Sequence, residues 1–294
     1  MARYDLLIIN RSFWPIYPVI GESLLRLAEE LSSLKKVAVV MQDHANIKRK
    51  LKIAKRGFGV KFLPAWAGSD SSSHLFKRVL DSFFFMVWVL GCLIWTRPRN
   101  IYISTDPPVL VPFIVAVYSK FCRTHFFYHL QDIHPESANI VVKINSYLLY
   151  FLKRLDSFTM RQANLLITLT KEMRSEIINR SGAQARIVII DNPSIFFEED
   201  ESLIKKCKGF SFTGNLGRLQ RIPLLLEAIK SYTEKGGALE FAFAGGGVYA
   251  KLISGLSKVN SLVKYHGVVS AQQAALISGK YEWALLPIED QVDR

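Results

Sequence analysis

The sequence predicts a doubly wound α/β protein of two domains, and three observations lead there. Short β-branched and aromatic runs recur with little polar alternation, as parallel strands covered on both faces require. Stretches with apolar residues at helical spacing lie between them. The length of 294 residues allows about two domains, and half of those residues are apolar, enough for sizeable cores.

From the amino terminus, the strand candidates are residues 4–9, 37–41, 59–63, 100–104, 125–130 and 165–169. A second series comprises 187–190, 210–213, 239–244, 263–266 and 283–286. The first strand runs into NRSFWPIYPVIGES, residues 10–23, with Gly21 placed just before a helix over 23–31. This connection is not GxGxxG, so it carries no dinucleotide fingerprint. Its Trp14, Pro15, Tyr17 and Pro18 read either as a lid or acceptor wall, or as a packed surface loop. Residues 79–95 hold an apolar run from Phe83 to Trp95. That run is too short to span a bilayer, which takes about 20 residues, so a buried helix or one resting on a membrane face is expected. In STDPPVL, residues 104–110, the prolines stop a strand and Asp106 either caps the next helix, the favoured reading, or faces the cleft. Ile144, Tyr147, Leu148, Phe151, Leu155 and Phe158 mark one apolar helix face, and Ile222, Leu225, Leu226 and Ile229 another. A boundary near Asp191-Asn192-Pro193 divides the chain into domains 1–190 and 191–294.

The formal net charge of +13 sits entirely in the first 190 residues, where 26 basic residues face 13 acidic ones. The remainder is balanced at 12 against 12. Lys48, Arg49, Lys50, Lys52, Lys55, Arg56 and Lys61 form a cluster. Such asymmetry points to a polyanionic partner for the first domain. No helix-turn-helix, zinc or RNP-type pattern supports nucleic acid. An anionic membrane surface fits the basic run and the aromatic-aliphatic helix together. The three cysteines are dispersed and odd in number, without metal-ligand spacing, so neither a disulfide framework nor a metal is expected. The amino terminus lacks a signal-peptide pattern, and the cytoplasm is the expected compartment.

Chemistry concentrates in three places. In GFSFTGNLGRLQR, residues 209–221, an apolar strand runs into Gly214, Asn215, Gly217, Arg218, Gln220 and Arg221, and a helix starts near Ile222. Glycine backbone, a helix amino terminus and an arginine fork together suit a diphosphate. FAFAGGGVYAK, residues 241–251, supplies a second glycine turn at Gly245, Gly246 and Gly247. YHLQDIHPES, residues 128–137, ends a strand with His129, Gln131, Asp132, His134 and Glu136. Ligands of open α/β sheets bind beyond the carboxyl ends of strands. A helix-capping turn around Asp132 and Pro135 is the alternative.

In this order, these motifs resemble family 4 glycosyltransferases of the GT-B fold, in the bacterial branch that builds O-antigen, capsule and other exopolysaccharides. FTGNLGRLQRIPLLLEA is similar to the donor-phosphate loop and helix of that branch, and HLQDIHPES to its strand-end motif. FAFAGGG and VKYHGVVSAQQAALISGKYEWALLP follow in family order. The resemblance implies two Rossmann-like domains facing across a cleft, the second incomplete because the family's glutamate motif and closing helices do not follow; a fragment is the expectation. Arg221 stands where the family usually has glycine.

The implied reaction is retaining transfer from a nucleotide-diphosphate sugar to a membrane-bound, lipid-linked acceptor, without cofactor, at the inner face of the plasma membrane. Asp132, His129 and Arg218 are the implied catalytic residues. Gly214, Asn215, Gly217, Arg218, Gln220, Gly245 and Gly246 would face the donor. Tyr17, Gly21, Gln131, His134 and Glu136 would face the acceptor. A module that binds nucleotide sugar or glycolipid without turnover is the alternative.

Overall fold

The computed structural model describes residues 3–69, 75–141, 143–192 and 206–288. The chain forms two compact units, Met1–Ser194 and Ile195–Arg294. In the first unit the order is β1 (Leu6–Ile9), α1 (Pro18–Ser32), β2 (Val37–Asp43), α2 (Ile47–Ala54), β3 (Lys61–Trp66), α3 (Leu75–Thr96), β4 (Asn100–Ser104), α4 (Leu110–Cys122), β5 (His125–Leu130), α5 (Glu136–Val141), α6 (Ser146–Gln162), β6 (Leu165–Thr168), α7 (Lys171–Ser181) and β7 (Arg186–Ile189). These strands make a parallel sheet of order β3-β2-β1-β4-β5-β6-β7.

The second unit holds β8 (Cys207–Thr213), α8 (Ile222–Glu234), β9 (Glu240–Ala244), α9 (Ala250–Val259), β10 (Val263–Tyr265), α10 (Ala271–Lys280) and β11 (Tyr281–Ala284). Its parallel sheet has the order β10-β9-β8-β11. Every predicted strand has a counterpart, and the doubly wound α/β class is confirmed. The run at 187–190 lies in the first unit, as the boundary after residue 190 implies, and does not open the second series. As β7 it pairs with β6 and closes the first sheet, because an apolar run specifies a strand but not its neighbour.

Strand alternation sorts the helices of the first unit. Leu7 and Ile9 of β1 pack with Phe85, Val89 and Leu93 of α3 and with Val111 and Val115 of α4. Ile8 turns to the other side and meets Leu24 and Leu25 of α1 and Ile47 and Leu51 of α2. The basic α2 and the apolar α3 therefore cover opposite faces of one sheet. Helix α3 also exceeds the run read from the sequence. Val79–Thr96 has mean hydropathy 1.9 and the length to cross a membrane, yet its inner face is buried against the sheet. Its outer face, including Val79, Phe83, Val87 and Trp88, is exposed.

Local signals explain several ends. Pro18 starts α1 at its first turn, so Gly21 lies inside this helix and not ahead of it. A Cβ there would stand 2.6 Å from the Phe13 carbonyl carbon, so the loop from β1 packs directly onto the helix backbone. Thr170 caps α7 by accepting from the Met173 N–H at 3.1 Å, and Ser270 and Gln273 form a capping box on α10. Helix α6 keeps its predicted face only toward its carboxyl end, where Leu155 is half-buried and Phe158 packs against the core. Tyr147, Leu148 and Phe151 are exposed, while Asp156 and Met160 are buried.

The buried end of α6 carries a polar cluster. The Asp156 carboxylate is fully buried and ion-pairs with the Arg180 guanidinium. It also accepts from the Tyr128 hydroxyl at 2.9 Å. Arg180 further donates to Glu136 at 2.7 Å and to the His134 carbonyl at 2.7 Å. Helices α5, α6 and α7 and strand β5 are thus held around one buried cation. Removing one partner of a buried pair strands the other charge. Arg180→Leu should lower unfolding stability by about 3–5 kcal/mol, read as a lower urea midpoint. The double change Arg180→Leu with Asp156→Leu should recover much of that loss.

Candidate functional site

In each parallel sheet the strand order reverses once, and ligands of such sheets sit beyond the carboxyl ends at that reversal. In the second sheet it lies between β8 and β11, and in the first between β1 and β4. Loops 214–221 and 10–17 leave β8 and β1 at these points.

In the second unit two glycine turns are stitched together. The Gly214 N–H donates to the Ala244 carbonyl at 3.0 Å, and the Leu216 N–H to the Gly246 carbonyl at 2.8 Å. The Gly245 N–H donates to the Gly267 carbonyl at 2.7 Å, and the Tyr265 hydroxyl donates to the Gly245 carbonyl at 2.9 Å. Gly245 has φ 138°, and a Cβ there would collide with the Gly214 carbonyl oxygen. At Gly247 a Cβ would stand 2.5 Å from the Leu216 carbonyl oxygen. Gly217 packs between the Asn215 and Gln220 side-chain amides. These glycines thus serve a close meeting of backbones before any ligand is considered.

The stitched turns support a 3-10 turn, Arg218–Gln220, that leads into α8. Arg218 and Asn215 are exposed there. Arg221 caps α8 at φ 42°, the left-handed region in which glycine is least strained. That accounts for glycine being usual there in the sequences this loop resembles. The amides of Asn215 and Gly217 find no backbone acceptor among the described residues. The loop therefore presents an arginine, a side-chain amide, backbone N–H groups and a helix start together, a set of donors that suits a diphosphate.

In the first unit the loops after β1 and β4 are laced together. The Arg11 N–H donates to the Asp106 carbonyl at 2.8 Å, and the Ser12 N–H to the Asp106 carboxylate at 2.8 Å. The Arg11 guanidinium meets that carboxylate at 3.2 Å. Asp106 therefore links two loops and does not cap α4, whose N-cap is Val109. Buried Asn10 bonds to Ser104 and to the Ser12 carbonyl. Arg11 also reaches the Ser82 hydroxyl on α3 at 3.2 Å. Beside it, Asp81 accepts from Gln42 at 2.9 Å, the Gly68 N–H at 2.9 Å and Ser69 at 2.7 Å. Burial works to raise the Asp81 carboxyl, but these bonds outweigh it and hold the group below the usual range. Sequence reading missed Asn10, Arg11 and Asp81. Two strand-end loops that share one carboxylate leave no local signature.

The strand-end motif of β5 spreads over several environments. Asp132 is exposed. Gln131 is half-buried, with its N–H donating to Thr105 at 3.3 Å. Glu136 is engaged by Arg180 and by Lys153, the latter at 3.1 Å. His129 Nδ1 lies 2.5 Å from the Tyr102 hydroxyl, and its Nε2 is buried without a hydrogen-bond partner among the described residues. Burial lowers the His129 imidazole to about 4, so it is neutral near pH 7. Burial also lowers His134, against the pull of Asp132 and Glu136. Tyr17 caps α1 half-exposed, its ring edge-on to His44 with centroids 6.5 Å apart. Among the described residues no group of three or more His, Cys, Asp or Glu is placed to hold a metal.

The chain resembles several solved structures. One is WaaG, a glycosyltransferase involved in lipopolysaccharide biosynthesis, with TM-score 0.64 and 12% identity over 96% of this chain and 75% of that one. A second is sucrose-phosphate synthase from Thermosynechococcus elongatus, with TM-score 0.63 and 11% identity over 97% and 76%. A third is UGT89C1 from Arabidopsis thaliana complexed with UDP-L-rhamnose, with TM-score 0.58 and 11% identity over 97% and 74%. No protein-family model matches the chain, and neither does any curated protein sequence. Identities this low establish the fold alone. That fold is the expected GT-B architecture of two Rossmann-like units.

Two outcomes follow from this geometry. Gly245→Ala should destabilise the second unit by about 2–3 kcal/mol, because the added methyl meets backbone. Gly255→Ala on α9, where a Cβ meets nothing within 4 Å, should stabilise by about 0.5–1 kcal/mol; denaturant midpoints compare the two. His129 also makes stability pH-dependent. Below about pH 6.5 the unfolded chain protonates this imidazole, whereas the folded chain resists until about pH 4. Stability should fall as pH drops through that window, and less steeply in His129→Gln, when urea midpoints at pH 7 and pH 5 are compared.

Proposed function

We propose that this protein transfers a sugar from a nucleotide-diphosphate sugar to a hydroxyl of a membrane-bound glycolipid, with retention at the anomeric carbon, in cell-surface polysaccharide synthesis. The interlocked turns at Gly214 and Gly245, set at the strand-order reversal of the second sheet, carry this reading. They form a platform that carries Arg218, free backbone N–H groups and the start of α8. The GT-B fold and the family resemblance of the loop sequence support it.

The chemistry breaks the bond between the anomeric carbon and the diphosphate, so negative charge grows on the leaving group. The loop amides would meet that charge as donors fixed before the reaction, which is where such donors contribute most, and Arg218 would add its guanidinium. The acceptor hydroxyl forms the new bond and gives up its proton. The exposed Asp132 is the carboxylate of the β5 motif that would orient this hydroxyl. Neutral His129, held by Tyr102, would position it. Gln131 and Tyr17 would contact the acceptor. The first unit would bring the protein to the inner face of the plasma membrane through the exposed outer face of α3.

Arg218→Ala should cut turnover by about 10²–10³-fold, the usual effect of losing one preorganised donor. Its donor affinity should fall while its melting temperature holds. Thermal stabilisation by a panel of nucleotide sugars identifies the donor, since a ligand of the native state raises the melting point. Stabilisation without any transfer to lipid-linked acceptors would leave a binding module. No stabilisation by any nucleotide sugar would remove the donor assignment.

A further inference from the structure

The amino-terminal edge of the first sheet lies away from the loops just described, and it carries a polar site of its own. An open cavity of about 640 Å³ is lined there by Arg3, Arg97, Tyr118, Cys122, Thr124 and Ile94. A second of about 300 Å³ shares Thr124 and adds Lys120, Arg123 and His125. Four permanent cations line the pair and no carboxylate does. None of the four is ion-paired among the described residues.

The fold gathers these cations from separate elements. Arg97 ends α3 in the left-handed region at φ 46°, with its N–H bonded to the Leu93 carbonyl at 3.0 Å. Arg123 ends α4 in the same way at φ 52°. The segment entering β1 is strapped beside them. The Tyr4 N–H donates to the Thr96 carbonyl at 3.3 Å, and the Arg99 N–H to the Tyr4 carbonyl at 2.9 Å. This sets Arg3 next to Arg97. The Tyr118 hydroxyl donates to the Leu93 carbonyl at 3.1 Å. Burial, aided by Cys122, pushes this phenol up to about 12, while Arg97 and Arg3 pull the other way.

The surroundings of the cavity are apolar and exposed. Ile94 is 57% exposed, Trp95 52% and Phe121 83%. The Trp95 ring lies 6.0 Å from that of Tyr4, and the Lys61 ammonium sits 5.9 Å from its centroid. Aromatic rings interleaved with lysine mark the level of lipid headgroups. Beyond them runs the exposed outer face of α3.

We propose that this cavity seats the phosphate of an anionic phospholipid, whose acyl chains lie along Ile94, Trp95 and the outer face of α3. The cations meet the headgroup at the membrane surface, and the apolar flank meets the tails. A soluble phosphate shares the charge chemistry but has no use for that flank. This inference deepens the membrane part of the proposed function and is independent of the sugar-transfer step.

Partition onto vesicles of phosphatidylglycerol in phosphatidylcholine, at fixed salt, tests it. Arg3→Gln with Arg97→Asn removes two cavity charges, and asparagine tolerates the left-handed turn. This pair should weaken partition about 25-fold, at about fivefold per charge. Lys48→Gln with Arg49→Gln removes two charges from α2 on the opposite face and should do far less. Arg97→Lys should keep most of the binding, and Arg3→Gln alone gives a fivefold reading if the double variant misfolds. Equal losses from the two pairs, or full partition by the cavity variant, would overturn the site. So would a melting-point rise with inorganic phosphate alone in a protein that ignores anionic vesicles. If the unaltered protein binds no anionic vesicle, the membrane part of the proposed function falls as well.

Discussion

The Gly214 carbonyl and the Gly245 backbone occupy space that a single methyl group would close. The second unit depends on this approach. Strands β8 and β9 are ordinary parallel neighbours, but their exits must turn in the same place to present one surface. Each turn donates into the other, and the Gly267 turn after β10 adds a third tie. Three consecutive strand ends are thereby fixed to one another. A backbone held in this way would lose little entropy on meeting a ligand, because its N–H groups are already fixed.

The first unit solves the same problem with side chains. The loops after β1 and β4 carry no glycine, and Asp106 links them through Arg11 and Ser12. Asp81 extends the network to the chain following β3. Away from this edge, Arg180 and Asp156 form a buried pair that joins three helices and β5. Such a pair adds little net stability over an apolar core of equal volume. Its effect here is geometric, since it holds the strand-end motif 128–137 between α6 and α7. It also occupies Glu136, which leaves Asp132 as the exposed carboxylate of the motif.

The charge asymmetry takes a different meaning in three dimensions. The basic run and the apolar helix are near in sequence, yet strand alternation sends α2 and α3 to opposite faces of the sheet. Part of the run is also neutralised within the fold, as Arg56 is shared by Glu22 and Glu29 at 3.2 and 2.6 Å. Among the described residues only Lys61, at the end of the run, reaches α3, over Trp95; Arg3 and Arg97 line a cavity at the end of α3, and Lys120 and Arg123 a neighbouring one, so these four come from three separate stretches of chain. Their grouping could not be seen as a charge run.

Read alone, the sequence settled the strands and the class of fold, because parallel strands buried on both faces must be continuous apolar runs, and eleven such runs are legible. It also settled the glycine turns, since a glycine after an apolar run signals backbone that needs room. What it left open was partnership. Which strand 187–190 pairs with, how far along α6 the apolar face is buried, and that Asp106 serves β1 and not α4 were decided by contacts between residues tens of positions apart. The physical reason is range. Periodicity and turn chemistry act over a few residues and are written locally, whereas ion pairs, strand neighbours and backbone stitching arise only when distant segments are brought together by the folded sheet.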